Sequence, residues 1–201
     1  LPSGKYFISF NCEYIPEKTS GTGILGIDVG ITDLATLSTG ETINNPRWFL
    51  KHQTRLKRAQ KALSRRMKGS KNREKARLRV ALIHEKIANL ANDYLHKLTT
   101  RLVRENQAIA IESLSISNMV RNRRLAKHIT DVRWGGMRRQ LIYKAVASQH
   151  CKIILADPYF PSTQLCSCCG TRPKEKLGLG TRKWICANCQ AIHQRDHNAA
   201  R

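Results

Sequence analysis

The spacing of apolar positions divides the chain into short strand-like runs and longer helix-like ones. Residues 5–15, KYFISFNCEYI, are dense in aromatic and β-branched side chains and predict a strand. A linker containing Pro, Gly and Ser is expected over 16–22. Apolar runs at 24–29 and 33–38 predict two strands around a turn at Gly30, and Thr39-Gly40 marks the next turn. From about 47 to 79 the chain is polar and strongly basic. From 80 to 102, Val80, Ile83, Ile87, Leu90, Tyr94, Leu98 and Leu102 recur at helical spacing and predict one buried stripe, read as core. QAIAIE, residues 107–112, predicts a short apolar strand that ends in an acid. A polar segment follows, then a helix over 137–149 and a buried strand over 152–156, KIILA. The last 45 residues are rich in Cys, Gly and Pro and poor in apolar positions. Strands alternating with helices predict an α/β domain, and no internal repeat is visible.

Charge changes the picture most. The 201 residues carry 36 Lys and Arg against 14 Asp and Glu, a net charge of +22. Such an excess asks for a polyanionic partner, of which nucleic acid is the commonest. A membrane surface is the rival, but no apolar run reaches the roughly 18 residues of a spanning helix. No signal peptide is visible at Leu1. Residues 47–79 concentrate fourteen cations against the single acid Glu74. Arg55, Arg58, Arg65 and Arg66 are candidate phosphate contacts there, as are Arg121, Arg123 and Arg124 in the later polar segment. The bland alternative for such a run is a solvated, charged helix.

Five of the seven cysteines fall within 24 residues. Cys166-x2-Cys169 and Cys186-x2-Cys189 are separated by 16 residues. Each pair forms a knuckle aiming two thiolates at one point, and two knuckles supply the tetrahedral sulfur shell of a zinc ribbon. Four protein ligands make that zinc structural. The clustering argues against a disulfide framework and suits a reducing cytoplasm. Cys168 is a surplus thiol within the first knuckle. Gly170 suits the positive φ that follows a knuckle, and Gln190 suits it less well. His193 and His197 are read as surface histidines, with substitution as zinc ligands the alternative.

Three acids stand out in a chain so poor in them. Asp28 interrupts the run GILGIDVG, where an unpartnered carboxylate is costly to bury. Glu112 ends AIAIE. Asp196 lies in QRDHNAA at a helix start. Each has a structural alternative: a turn former, a strand exit and a helix N-cap, respectively. Together they make an oxygen donor set for Mg²⁺, the kind that activates water and steadies the leaving oxygen in phosphodiester cleavage.

GIDVGITDLATLSTGE, AIAIESLSISNM, WGGMRRQL, DPYFPSTQLCSCCG and RDHNAA follow one another in the order seen in the TnpB proteins of bacterial and archaeal insertion sequences. Type V CRISPR effector nucleases are close relatives. The chain resembles that family over nearly its whole length. The resemblance implies an α/β fold, a ribonuclease H-like (RuvC-like) domain with an inserted zinc ribbon. It implies the end of an N-terminal wedge-like β domain over 1–20 and a RuvC-like core with a basic helical insertion over 21–160. The zinc ribbon would span 161–193, and the last RuvC-like motif and the start of a C-terminal helix 194–201. Asp28, Glu112 and Asp196 match the family's catalytic acids, and Cys166, Cys169, Cys186 and Cys189 its zinc ligands. Two acids frequent in the family are replaced, by Ser113 and Gln194. Recognition and wedge domains precede the nuclease domain in the family, whereas about 20 residues do so here. The expectation is therefore a C-terminal portion of a larger protein, a natural miniature, or a chain completed by a missing N-terminal region or a second chain.

The function implied is RNA-guided DNA cleavage for a transposable element, by two-metal hydrolysis with catalytic Mg²⁺ beside the structural Zn²⁺. Its partners would be a guide RNA and a target DNA, its place a prokaryotic cytoplasm at the nucleoid, with no membrane. The alternative is an RNA-guided DNA-binding repressor that does not cut. A plain zinc-ribbon binder leaves the acids unexplained.

Overall fold

The structure is a computed structural model, and it describes residues 1–13, 21–173, 175–178 and 180–201. The chain divides into two compact units, Leu1–Pro16 with Arg47–Leu98 and Glu17–Pro46 with Thr99–Arg201.

The first unit is a helical hairpin. Helix α1 (Trp48–Ser64) is followed by a short turn and by α2 (Lys71–Glu105), whose residues from Thr99 belong to the second unit. Leu56 and Ala59 of α1 are buried with Ile83 and Ile87 of α2, and Trp48, Phe49 and Val80 pack on them. These are neighbours at i+3 and i+4, which is why one face of each helix closes on the other. The turn is fixed locally. Arg73 Nη1 donates to the carbonyls of Leu63 at 3.1 Å and Arg66 at 3.0 Å, where α1 ends. Ser70 Oγ accepts from Arg73 N at 3.2 Å and so caps α2. The stripe expected over 80–102 is met: Ile83, Ile87, Leu98 and Leu102 are buried, joined by Ala91 and Leu95.

Residues 5–13 do not form the expected strand. Tyr6, Phe7, Ile8 and Phe10 stand exposed, because a strand needs a neighbour to pair with and none lies beside them among the described residues. The rest of that expected strand, and most of the expected linker at 16–22, lie outside the described residues.

The second unit is built on a five-stranded sheet of order β3-β2-β1-β4-β5. Strands β1 (Gly23–Val29), β2 (Asp33–Leu37) and β3 (Thr42–Asn44) form an antiparallel meander. β4 (Asn106–Glu112) and β5 (Lys152–Ala156) continue it in parallel with β1. Between β4 and β5 run α3 (Ile116–Met119), α4 (Ala126–Val132) and α5 (Trp134–Ser148). Leu25, Ile27, Ile109 and Ile111 from alternate strand positions are buried, as are Met137 and Leu141 of α5. A polar tie joins the end of α2 to α5. Thr99 Oγ1 donates to Gln140 Oε1 at 3.1 Å and accepts from Lys144 Nζ at 2.8 Å. The expectation of a buried β5 fails. It is the edge strand of the sheet, and Ile154 and Leu155 are about half exposed.

Beyond β5 lies a small hairpin of β6 (Lys183–Ile185) and β7 (Ile192–Gln194), which leads into α6 (Arg195–Ala200). No helix among the described residues is long and apolar enough to cross a membrane.

Candidate functional site

Alternation along β1 and β4 places the acids. Leu25 and Ile27, with Ile109 and Ile111, point into the core. The intervening positions on the opposite face are small, Gly26, Ala108 and Ala110, and the series ends in Asp28 and Glu112. The parallel register pairs Ile27 with Ile111, so these two carboxylates leave neighbouring strand ends side by side. Helix α6 covers this small-residue face. A Cβ on Gly26 would run into the carbonyl of Ala200, so only glycine lets the helix approach so closely. The approach brings Asp196, in the first turn of α6, towards the two strand acids.

The electrostatics record the meeting. Burial, then the carboxylates of Glu112 and Asp196, push Asp28 up to about 8, against the pull of Arg195. Burial also raises Glu112, opposed by the hydrogen bond from Ser162 Oγ at 3.4 Å. Asp196 is held by Arg182 Nη1 at 3.2 Å and Arg195 Nε at 3.1 Å. A cleft of about 170 Å³ opens beside Glu112, lined by Gly26, Ala110, Phe160, Ser162 and Ala200 among others. Among the described residues the three carboxylates are not drawn within 4.8 Å of one another. Carboxylate oxygens are the donors that a hard divalent cation takes.

The alternative readings of these acids fare unequally. Asp28 lies within the β1–β2 ladder opposite Thr36, not in a turn. The N-cap of α6 is Gln194, whose Oε1 accepts from His197 N at 2.6 Å, so Asp196 is left free of that duty. Glu112 does end its strand, paired with Ala156.

The four ribbon cysteines converge. Their sulfurs all lie within 4.8 Å of one another, with Cys166–Cys189 and Cys169–Cys186 both at 3.6 Å. Zinc–sulfur bonds of about 2.3 Å in a tetrahedron require edges of about 3.75 Å, so this donor set fits zinc. Hydrogen bonds from Thr171, first from its hydroxyl, bring Cys169 down to about 5 and favour its thiolate. Gly170 and Gln190 both take positive φ, 68° and 57°, as the knuckle geometry asks. His193 is not a surface residue, and His197 is only partly buried. His193 is 5% exposed with Nε2 3.0 Å from Cys166 Sγ, and His197 Nε2 bonds Ser38 O at 3.1 Å. The hairpin pairs His193 with Trp184 and turns both inward, which the sequence alone did not reveal.

Asn198 and Arg182 were missed as site residues. Asn198 is buried. Its Nδ2 donates to Leu165 O at 2.6 Å and Ser162 O at 3.4 Å, and its Oδ1 accepts from Ser167 N at 2.9 Å. It thus ties α6 to the first knuckle and to the loop bearing Ser162. Its place two residues after Asp196 was the only available signal.

The candidate phosphate contacts lie in two groups. Arg55, Arg58, Arg65 and Arg66 are exposed on the first unit, and Arg121, Arg123 and Arg124 on the second. None of the seven forms an ion pair among the described residues.

Residues 7–123 match the family OrfB_IS605, described as "Probable transposase", and residues 134–201 match "Cas12f1-like, TNB domain". A Streptomyces pristinaespiralis protein named "Putative RNA-guided DNA endonuclease" is 46% identical over 99% of this chain and 49% of its own length. "Putative RNA-guided DNA endonuclease InsQ" of Escherichia coli K12 is 36% identical over 98% of this chain and 53% of its own. The chain therefore spans about half the length of these relatives. The cryo-EM structure of a Cas12f1–sgRNA–target DNA complex superposes with a TM-score of 0.62 at 17% identity, covering 92% of this chain and 39% of that one. At that identity the likeness is one of fold.

Proposed function

The chain belongs to the OrfB_IS605 family, and from that footing we propose that it carries the cutting site of an RNA-guided DNA endonuclease of a transposable element. The observation that carries the reading is the convergence of Asp28, Glu112 and Asp196 from two strand ends and helix α6, near enough that Glu112 and Asp196 add to burial in pushing Asp28 up to about 8. The strand order β3-β2-β1-β4-β5, with acids at the ends of two adjacent parallel strands, supports a ribonuclease H-like, RuvC-like core.

Asp28, Glu112 and Asp196 would hold Mg²⁺. When bound, such ions supply an activated water and stabilise the leaving oxygen of a phosphodiester. The chain's own residues do the rest. Ser162 orients Glu112, Gln194 and Asn198 fix the helix that delivers Asp196, and Gly26 admits that helix. Arg182 and Arg195 neutralise Asp196 until a cation or a phosphate arrives. Cys166, Cys169, Cys186 and Cys189 would hold Zn²⁺ structurally. The exposed arginines on both units would grip guide RNA and target DNA by their phosphates, leaving sequence to base pairing.

One observation favours a second reading, an RNA-guided binder that does not cut: Asp196 is already paired with two arginines. The test is to fuse this chain behind the N-terminal half of the Streptomyces relative, express it, and sequence the RNA that copurifies. That RNA should direct cutting of a matched DNA in Mg²⁺. Binding of the matched DNA without any cutting would support the binder.

A further inference from the structure

Besides the four-cysteine set, the ribbon gathers a second group of soft donors. Cys166, Cys168 and His193 each offer one donor atom, and all three lie within 4.8 Å of one another. The buried His193 sits opposite Trp184 in the β6–β7 ladder, with ring centroids 4.7 Å apart. Its position is therefore set by the hairpin. Its Nε2 and the Cys166 sulfur are 3.0 Å apart and share a hydrogen bond. Cys168 is exposed, and the four-cysteine set does not use it.

We propose that Cys166, Cys168 and His193 form a second soft-metal site that shares Cys166 with the first. Thiolate and imidazole together select zinc and thiophilic ions such as cadmium over hard cations. A thiolate sulfur keeps lone pairs after binding one ion, so Cys166 bridges the two sites. Binding releases the Cys168 thiol proton to solvent and leaves the imidazole proton on the other ring nitrogen. Three protein ligands leave a fourth position for water. His193 lies three residues before Asp196 on continuous chain. An ion here therefore also pins the strand that leads to the third acid.

The test uses the whole chain loaded with one equivalent of zinc and then titrated with Cd²⁺. Total soft metal per chain is measured after gel filtration, and iodoacetamide labelling of Cys168 is read by mass spectrometry. The wild type should hold one more ion than Cys168→Ala. Labelling of Cys168 should fall by about tenfold or more in excess Cd²⁺, as a metal-bound thiolate is shielded. Cys168→Ala removes an exposed side chain, so it should fold and keep the first ion. His193→Gln should likewise lose only the second ion. Equal metal content in the wild type and Cys168→Ala, or Cys168 labelling unmoved by Cd²⁺, would overturn the proposal.

Discussion

Asp28 sets the energetics of the site. An unfolded chain releases its proton near pH 3.8, and the folded one releases it near 8. Only the folded state holds the proton between those values. Asp28's contribution to stability is therefore complete below 3.8 and is lost as pH rises through 8. In EDTA, denaturant melts should lose on the order of 2–3 kcal/mol between pH 5 and 8.5 from this group, after allowing for the solvent that reaches a partly buried carboxylate. Asp28→Asn should flatten that limb, and so should saturating Mg²⁺, which stands in for the proton. An Asn variant with the wild-type slope would show that burial of Asp28 costs nothing. Asn198 is the opposite kind of residue, buried and fully bonded. Asn198→Ala strands the amide of Ser167 and the carbonyl of Leu165, and should cost about 1–3 kcal/mol in thermal unfolding. Asp28 and Glu112 stood out in the sequence because one broke an apolar run and the other ended one, whereas Asp196, in the polar QRDHNAA, stood out only by motif order. Asn198 did not stand out, because a polar residue at a helix start reads as solvated until the neighbouring loop is seen.

The elements were legible where their pattern was local. β1, β2, β4, α5 and the 80–102 part of α2 stand where apolar spacing put them. β3 and the short helices α3 and α4 went unseen, as three to seven residues carry too little periodicity. Over the described residues 5–13 of the expected strand, and in the expected burial of β5, the reading failed for one reason: composition predicts extended backbone but not the neighbour that would cover it. Among the described residues the ribbon's core is Cys166, Trp184 and Cys186, with Leu177 packed on it. Metal bonds must therefore supply much of its stability. Cys186→Ser should release zinc and speed hydrogen exchange over residues 162–195, while the five-stranded sheet keeps its protection. A wild-type protein without zinc by elemental analysis would defeat this. In the helical hairpin, Arg55, Arg58, Arg65 and Arg66 are exposed and without acidic partners among the described residues. Replacing all four with Ala should weaken nucleic-acid binding and reduce the slope of log K against log salt by roughly 3–4. An unchanged slope would return them to a solvated face.

For the whole molecule, the resemblance to TnpB proteins drawn from five motifs is borne out by the family match and by relatives named as RNA-guided DNA endonucleases. Motif order carried this because five motifs in one fixed order are far more specific than any one of them alone. Nothing comparable marked Arg182, which reaches Asp196 only through the fold of the hairpin. The account's central claim is that three carboxylates carried by different elements work as one metal site. Its most direct test is the rate of guided DNA cleavage in Mg²⁺ by Glu112→Gln in the fusion described above, beside target binding measured in Ca²⁺. Glu112→Gln keeps the shape and the bond from Ser162 but removes one ligand charge. Cleavage should fall by about 10²–10⁴-fold, as water activation and leaving-group stabilisation are lost together, while binding stays within about twofold. Cleavage at the wild-type rate by Glu112→Gln would contradict the claim and leave Glu112 as no more than the end of a strand.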